Sequence, residues 1–149
     1  MRRILLVLAA MLGTAAIAVP AAFAASPHYV VGPNVTISNN TLTVSWKAAG
    51  LGNTVESVDF SLTGTVSVSA QCFTRNGNPV QGVPKSETND VNSEGTFDVR
   101  NGSVTGSLSV SPLSTLTCTG NQQVRILSAS YDLFLNGDAL PEVHLTGSF

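Results

Sequence analysis

The sequence predicts an all-β fold, an antiparallel β-sandwich of about seven to nine strands held by one disulfide. Three observations carry this. Apolar and polar residues alternate with period two through almost every stretch after residue 25, the pattern of a strand with one buried face. Turns rich in Gly, Asn and Pro separate these stretches, and Thr, Ser, Val and Gly dominate where helices would want other residues. The chain has two cysteines, Cys72 and Cys118, both on the inward phase of their segments.

The chain opens Met1-Arg2-Arg3, then an unbroken apolar run from Ile4 to Leu12, then an Ala-rich stretch through Pro20 to Ala25. That layout is a cleavable secretory signal. Cleavage after Ala24 sets small Ala22 and Ala24 at the two positions that signal peptidase reads, whereas one residue later would set Phe23 there, so the mature start is placed at Ala25. Gly13 and Pro20 interrupt the run short of the roughly 20 residues a membrane span needs. The Arg pair abuts the apolar run without a polar lead-in, which favours ordinary export over the twin-arginine route. The expected division is residues 1–24 as signal and 25–149 as one secreted, extracellular domain, with no membrane attachment after cleavage.

Loss of Arg2 and Arg3 takes the formal net charge from −2 to −4, five basic residues against nine acidic. Lys47, Arg75, Lys85, Arg100 and Arg125 are scattered, so nucleic acid is excluded as a partner. In an oxidising compartment Cys72 and Cys118 are most economically a disulfide, since neither has another cysteine to pair with; the alternative is two free thiols or a metal pair.

Along the chain, Leu42, Val44, Trp46 and Ala48 alternate with Thr41, Thr43, Ser45 and Lys47. Val58, Phe60 and Leu62, then Val66, Val68, Ala70 and Cys72, keep one phase across Gly64, which predicts one long strand bent at the glycine or two strands. Residues 73–94, with Asn76-Gly77-Asn78-Pro79, Gly82 and Pro84, read as a long exposed loop with at most a short edge strand. Phe97 and Val99 lead into Asn101-Gly102, and Val104, Leu108 and Val110 lead out, a strong hairpin signal. Leu116 and Cys118 share a strand phase; Leu127, Ala129, Tyr131, Leu133 and Leu135 form a long alternation; Val143 and Leu145 form the last strand. Two packed sheets fit this better than a closed barrel. The immunoglobulin signature puts a core Trp between its cysteines and a Tyr two residues before the second. Here Trp46 precedes both cysteines and Leu116 holds the tested position, so the fold is expected to be Ig-like in architecture only.

The stretch Ala49-Gly50-Leu51-Gly52-Asn53-Thr54, the strand ending in Cys72, the run Phe97 to Leu108 through Asn101-Gly102, Leu116-Thr117-Cys118 and Gln123 to Tyr131 resemble small secreted β-sandwich proteins of actinobacteria, a group without an assigned activity. The resemblance covers most of the mature chain and implies the sandwich, export and the disulfide, and no catalytic residues. The early Gly-Leu turn and the long strand running to a cysteine also resemble the neocarzinostatin-type antibiotic carriers. Those carriers have two disulfides and this chain one, so their chromophore cleft is not carried over.

No catalytic residues, metal ligands or cofactor are assigned. His144, between Val143 and Leu145, turns to the outer face of its strand, and there is no Gly-x-Ser-x-Gly elbow. Copper capture by an amino terminus with His28 third needs an amide that Pro27 lacks, and blue-copper ligation needs a free thiolate beside two histidines. Asp90, Glu94 and Asp98, with Asn89 and Asn92, match no calcium loop and read as solvated. Trp46, Phe60, Phe97 and Tyr131 fall inward and belong to the core. Phe134, out of phase between Leu133 and Leu135, and loop-borne Phe73 and Arg75 are the candidate surface contacts. The expectation is a non-catalytic extracellular module, structural or binding, for an unidentified extracellular or cell-wall ligand. The alternatives are a small-molecule or glycan carrier, and a hydrolase or protease inhibitor displaying Arg75.

Overall fold

The computed structural model describes residues 26–149; the export signal and its cleavage after Ala24 lie outside them. Seven strands are formed among the described residues: β1 (His28–Ser38), β2 (Thr41–Ala49), β3 (Ser57–Phe73), β4 (Lys85–Asp98), β5 (Ser103–Val110), β6 (Gln123–Gly137) and β7 (Val143–Ser148). They make two antiparallel sheets, ordered β1-β2-β5 and β4-β3-β6-β7. No helix of the described residues is long and apolar enough to cross a membrane.

The period-two pattern explains the layering, because alternate residues of each sheet turn toward the other. Leu42, Val44 and Trp46 of β2 meet Phe60 and Leu62 of β3 and Leu133 of β6 in one buried cluster. Trp46 and Phe60 lie across the two sheets with ring centroids 4.5 Å apart, and Phe97 of β4 joins them edge-on at 5.3 and 5.7 Å. The rings fit because Gly106, the register partner of Trp46, has no side chain: a Cβ there would stand 2.8 Å from ring atoms of both Trp46 and Phe97. The long strand β3 is continuous through Gly64. Its φ of +135° and the Asp132 carbonyl, which a Cβ would overlap, both require glycine there.

Four expectations are corrected. The long exposed loop shrinks to residues 74–84, because Lys85–Asp98 forms β4, the edge strand beside β3. Its inward positions include polar Glu87, Asn89 and Ser93 and small Gly95, which hid the alternation. Asn101-Gly102 does make a tight turn, with φ of +51° and +68° and an Arg100–Ser103 bridge, but β4 and β5 then join different sheets. The turn is therefore a corner between layers and not a two-stranded hairpin. Leu127 is exposed, because a register shift between Ser69 and Ala70 pairs Ala70 with Ile126 and turns Ile126 to the core. Finally, Cys118 sits on the irregular segment 111–122 and not on a strand, while its disulfide to Cys72 at the end of β3 is present, Cα atoms 5.7 Å apart.

Side chains hold that irregular segment in place of a strand ladder. Asn40 accepts from the Ser114 amide at 2.8 Å through Oδ1, and its backbone carbonyl accepts from the Leu113 amide at 3.0 Å. Asn89 donates to the Leu113 carbonyl at 2.7 Å. Glu87 accepts from the Ser114 hydroxyl, from the Thr115 amide at 2.9 Å and from the Thr115 hydroxyl at 2.6 Å, with Lys85 Nζ 3.0 Å away. Hydrogen bonds from Ser114, then from Thr115, favour the ionised carboxylate and hold its pKa at about 2, below the ordinary 4.5. A folded-state pKa below the unfolded one gives stability that is complete above pH 4.5 and is lost as pH falls toward 2. The Glu87→Gln variant is accordingly expected to be less stable than wild type at neutral pH. Urea melts run from pH 7 to 2 should show that difference closing across the acid limb; a constant gap would contradict it.

Candidate functional site

The outer face of the four-stranded sheet is where strand register gathers chemistry. Thr88, Ser67, Ser130 and Ser148 lie abreast on β4, β3, β6 and β7, and Ser86, Ser69 and Ser128 form the next row. On the other side come Asp90, Thr65, Asp132 and Thr146, and then Asn92, Thr63, Phe134 and His144. Neighbours within a row are about 4.8 Å apart and rows about 6.7 Å apart, because strand spacing and pleat fix both distances. Most outward positions of these strands hold Ser, Thr, Asn or Asp, with Glu94, Phe134 and His144 as exceptions, and the pairing register sets them abreast.

The two hydroxyl rows floor a shallow depression of about 510 Å³ that Glu87 and Phe149 also line; Phe149 is paired by reciprocal backbone hydrogen bonds with the core-facing Ala129. Ser67 and Thr88 hydroxyls bond each other at 2.7 Å across β3 and β4. Each hydroxyl can donate once and accept twice, so this floor offers both roles without a formal charge. Between the Asp59 and Ser69 levels of β3, no lysine or arginine points from this face among the described residues. Arg125, at the Gln71 level, is drawn over the Phe73 ring at 5.0 Å, and Lys85, at the Ala70 level, is held by Glu87 at 3.0 Å.

Beyond the depression stands an aromatic ridge. Phe134 and His144, neighbours on β6 and β7, stack with ring planes 4° apart and centroids 4.5 Å apart. His144 Nε2–H donates to Asp132 Oδ1 at 2.7 Å, which fixes the imidazole beside the phenyl ring. Both partners of that pair are more than half exposed, 51% and 60%, so water screens the attraction and its worth is orientation.

Two of the candidate contact residues, Phe73 and Phe134, share this face. They lie ten residues apart along β3, about 33 Å, so they serve no common small ligand. Arg75 stands apart, on a tight turn closed by Thr74 N–H to the Asn78 carbonyl at 2.8 Å and Gly77 N–H to the Thr74 carbonyl at 2.9 Å. Asp90, Glu94 and Asp98 are spaced along β4 four residues apart, and among the described residues no group of three His, Cys, Asp or Glu side chains is placed to hold a metal. The sequence shows a polar strand surface but not which hydroxyls stand abreast. Long-range register makes those rows, and no local signal encodes it.

Comparison with family models, with curated proteins and with solved structures finds no match to this chain.

Proposed function

We propose that the chain is exported by its N-terminal signal and works outside the cell as a non-catalytic binding module of Ig-like architecture that takes a neutral saccharide. The Ig-like assignment is supported by the order of pairing. β1 and β2 pair as neighbours, β5 crosses back to β2, and β3 and β6 lie central in the second sheet with β4 and β7 at its edges. The disulfide is compatible with an extracellular location.

The observation that carries the binding reading is the depression floored by the Ser and Thr hydroxyls of β3, β4, β6 and β7. Hydroxyls that both donate and accept match sugar hydroxyls. Phosphate and sulfate would need arginine or lysine here, while Asp90 and Asp132 in the adjoining row would repel them.

Isothermal titration of the purified protein with cellohexaose and chitohexaose, with dextran sulfate as the anionic comparison, tests the reading. Saturable binding of a neutral hexaose and none of dextran sulfate is expected. Ser130→Trp, which fills the centre of the exposed floor, should weaken that binding at least tenfold. No binding of either hexaose, a preference for dextran sulfate, or full affinity in Ser130→Trp would overturn it.

A further inference from the structure

We infer that this site continues along the sheet into a second subsite at Phe134, so that the ligand is a neutral oligosaccharide chain lying along β3 and β6. The inference rests on the neutral-saccharide reading and goes beyond it in naming the length of the ligand and the residue that reads it.

The stacking geometry supplies the first argument. His144 covers one face of the Phe134 ring from the β7 side, with planes 4° apart. The opposite face therefore looks back across the sheet over β3 and β4, where the register neighbours are the short side chains Thr63 and Asn92. A half-buried aromatic ring with its second face toward a hydroxyl and an amide suits a sugar ring, the ring face taking its C–H groups and the polar pair its hydroxyls.

Rigidity is the second argument. Phe134 is pinned between the sheet and His144, and His144 is held by Asp132 at 2.7 Å. A ligand meeting this ridge loses little side-chain freedom on the protein's side, which raises the net yield of a modest contact.

Continuity and charge supply the third. The Phe134 row lies two rows from the Ser67 row, about 13 Å along the strands, which is longer than one sugar ring. The row between them holds Asp90, Thr65 and Asp132, which accept hydrogen bonds from sugar hydroxyls and disfavour an anionic chain. A single saccharide would engage either the depression or the ridge, whereas a linked chain engages both and gains from the second contact without a second loss of translational freedom.

Titration of the wild-type protein with cellohexaose against cellobiose, and chitohexaose against chitobiose, reads chain length directly. A hexaose is expected to bind at least tenfold more tightly than its dimer. Phe134→Ala should weaken the hexaose roughly tenfold and leave the dimer unchanged, while Phe134→Tyr, which keeps the ring, should restore hexaose affinity. Thr63→Gln, a longer side chain laid over the second ring face, should reproduce the loss with Phe134 intact, so that a folding defect of the alanine variant cannot mimic the result. Equal affinity for hexaose and dimer, or wild-type hexaose binding by Phe134→Ala, overturns the second subsite and leaves the depression standing as a one-site binder. Absence of binding by every saccharide overturns both readings.

Discussion

Replacing Trp46 with alanine is expected to lower the stability of the protein by about 3–5 kcal/mol, the range for removing a large aromatic ring from a packed core. Trp46 is 2% exposed and is the only aromatic side chain that the three-stranded sheet contributes to the trio with Phe60 and Phe97. Its neighbours cannot close the gap easily. Gly106 beside it has no side chain to swing inward, and the facing rings are fixed by their own strands. The same site predicts a graded series. Trp46 Nε1 is buried with no hydrogen-bond partner, so Trp46→Phe deletes an unsatisfied donor along with the outer part of the ring. That variant should lose clearly less stability than Trp46→Ala. Chemical denaturation followed by far-ultraviolet circular dichroism measures both, and equal losses would show that the indole N–H is satisfied or that the cavity dominates.

Loss of the Cys72–Cys118 disulfide comes second in size. The bond closes a loop spanning a sequence separation of 46, for which the chain-entropy account gives a stabilisation of about 4 kcal/mol. Against a total of roughly 5–15 kcal/mol for a domain of this kind, that is a large share. The local structure sharpens the expectation, because Cys118 lies in a segment without strand hydrogen bonds. Side chains of Asn40, Glu87 and Asn89 hold its first half at Leu113 to Thr115, while the disulfide ties its second half to the end of β3. The Cys72→Ala/Cys118→Ala double variant should therefore denature at lower urea and become sensitive to proteolysis between Leu116 and Gln122. Intact mass before and after reduction of the wild type checks the starting point: a shift of about two hydrogens is expected on reduction. A double variant as stable as wild type would contradict the account.

Much of the architecture was legible because strands with one buried face announce themselves. Trp46, Phe60, Phe97 and Tyr131 were placed inward by phase alone, and all four belong to or pack against the core. The failures share a cause, which is that local pattern does not encode which strands pair. The Asn101-Gly102 turn is real, yet whether its flanking strands pair with each other depends on β2 and β3 competing for them. The length of β4 is hidden in the sequence, which shows at most a short edge strand there, because Glu87 and Asn89 occupy inward positions, where they bind the 113–115 segment in place of packing as apolar groups. Leu127 followed the phase of Ala129 in sequence, and a bulge opposite Ser69 and Ala70 reversed it.

The candidate site was legible only as composition. Abundant Ser and Thr at outward positions suggested a polar surface, but the abreast rows of Ser67, Ser130 and Ser148 exist only once β3, β6 and β7 are set in register. Phe134 was identified from its phase as an outward aromatic. Its stacking on His144, and the Asp132 contact that orients that histidine, are tertiary facts.

Neutral-saccharide binding is proposed for the outer face of β4-β3-β6-β7. Amide chemical-shift mapping of the isotope-labelled protein during titration with cellohexaose or chitohexaose tests it most directly. The account predicts saturable shifts concentrated at Ser67, Ser130, Ser148 and Phe134, with the outward residues of β1, β2 and β5 unmoved. Shifts centred on the β1-β2-β5 face, or none at saturating saccharide, would contradict it.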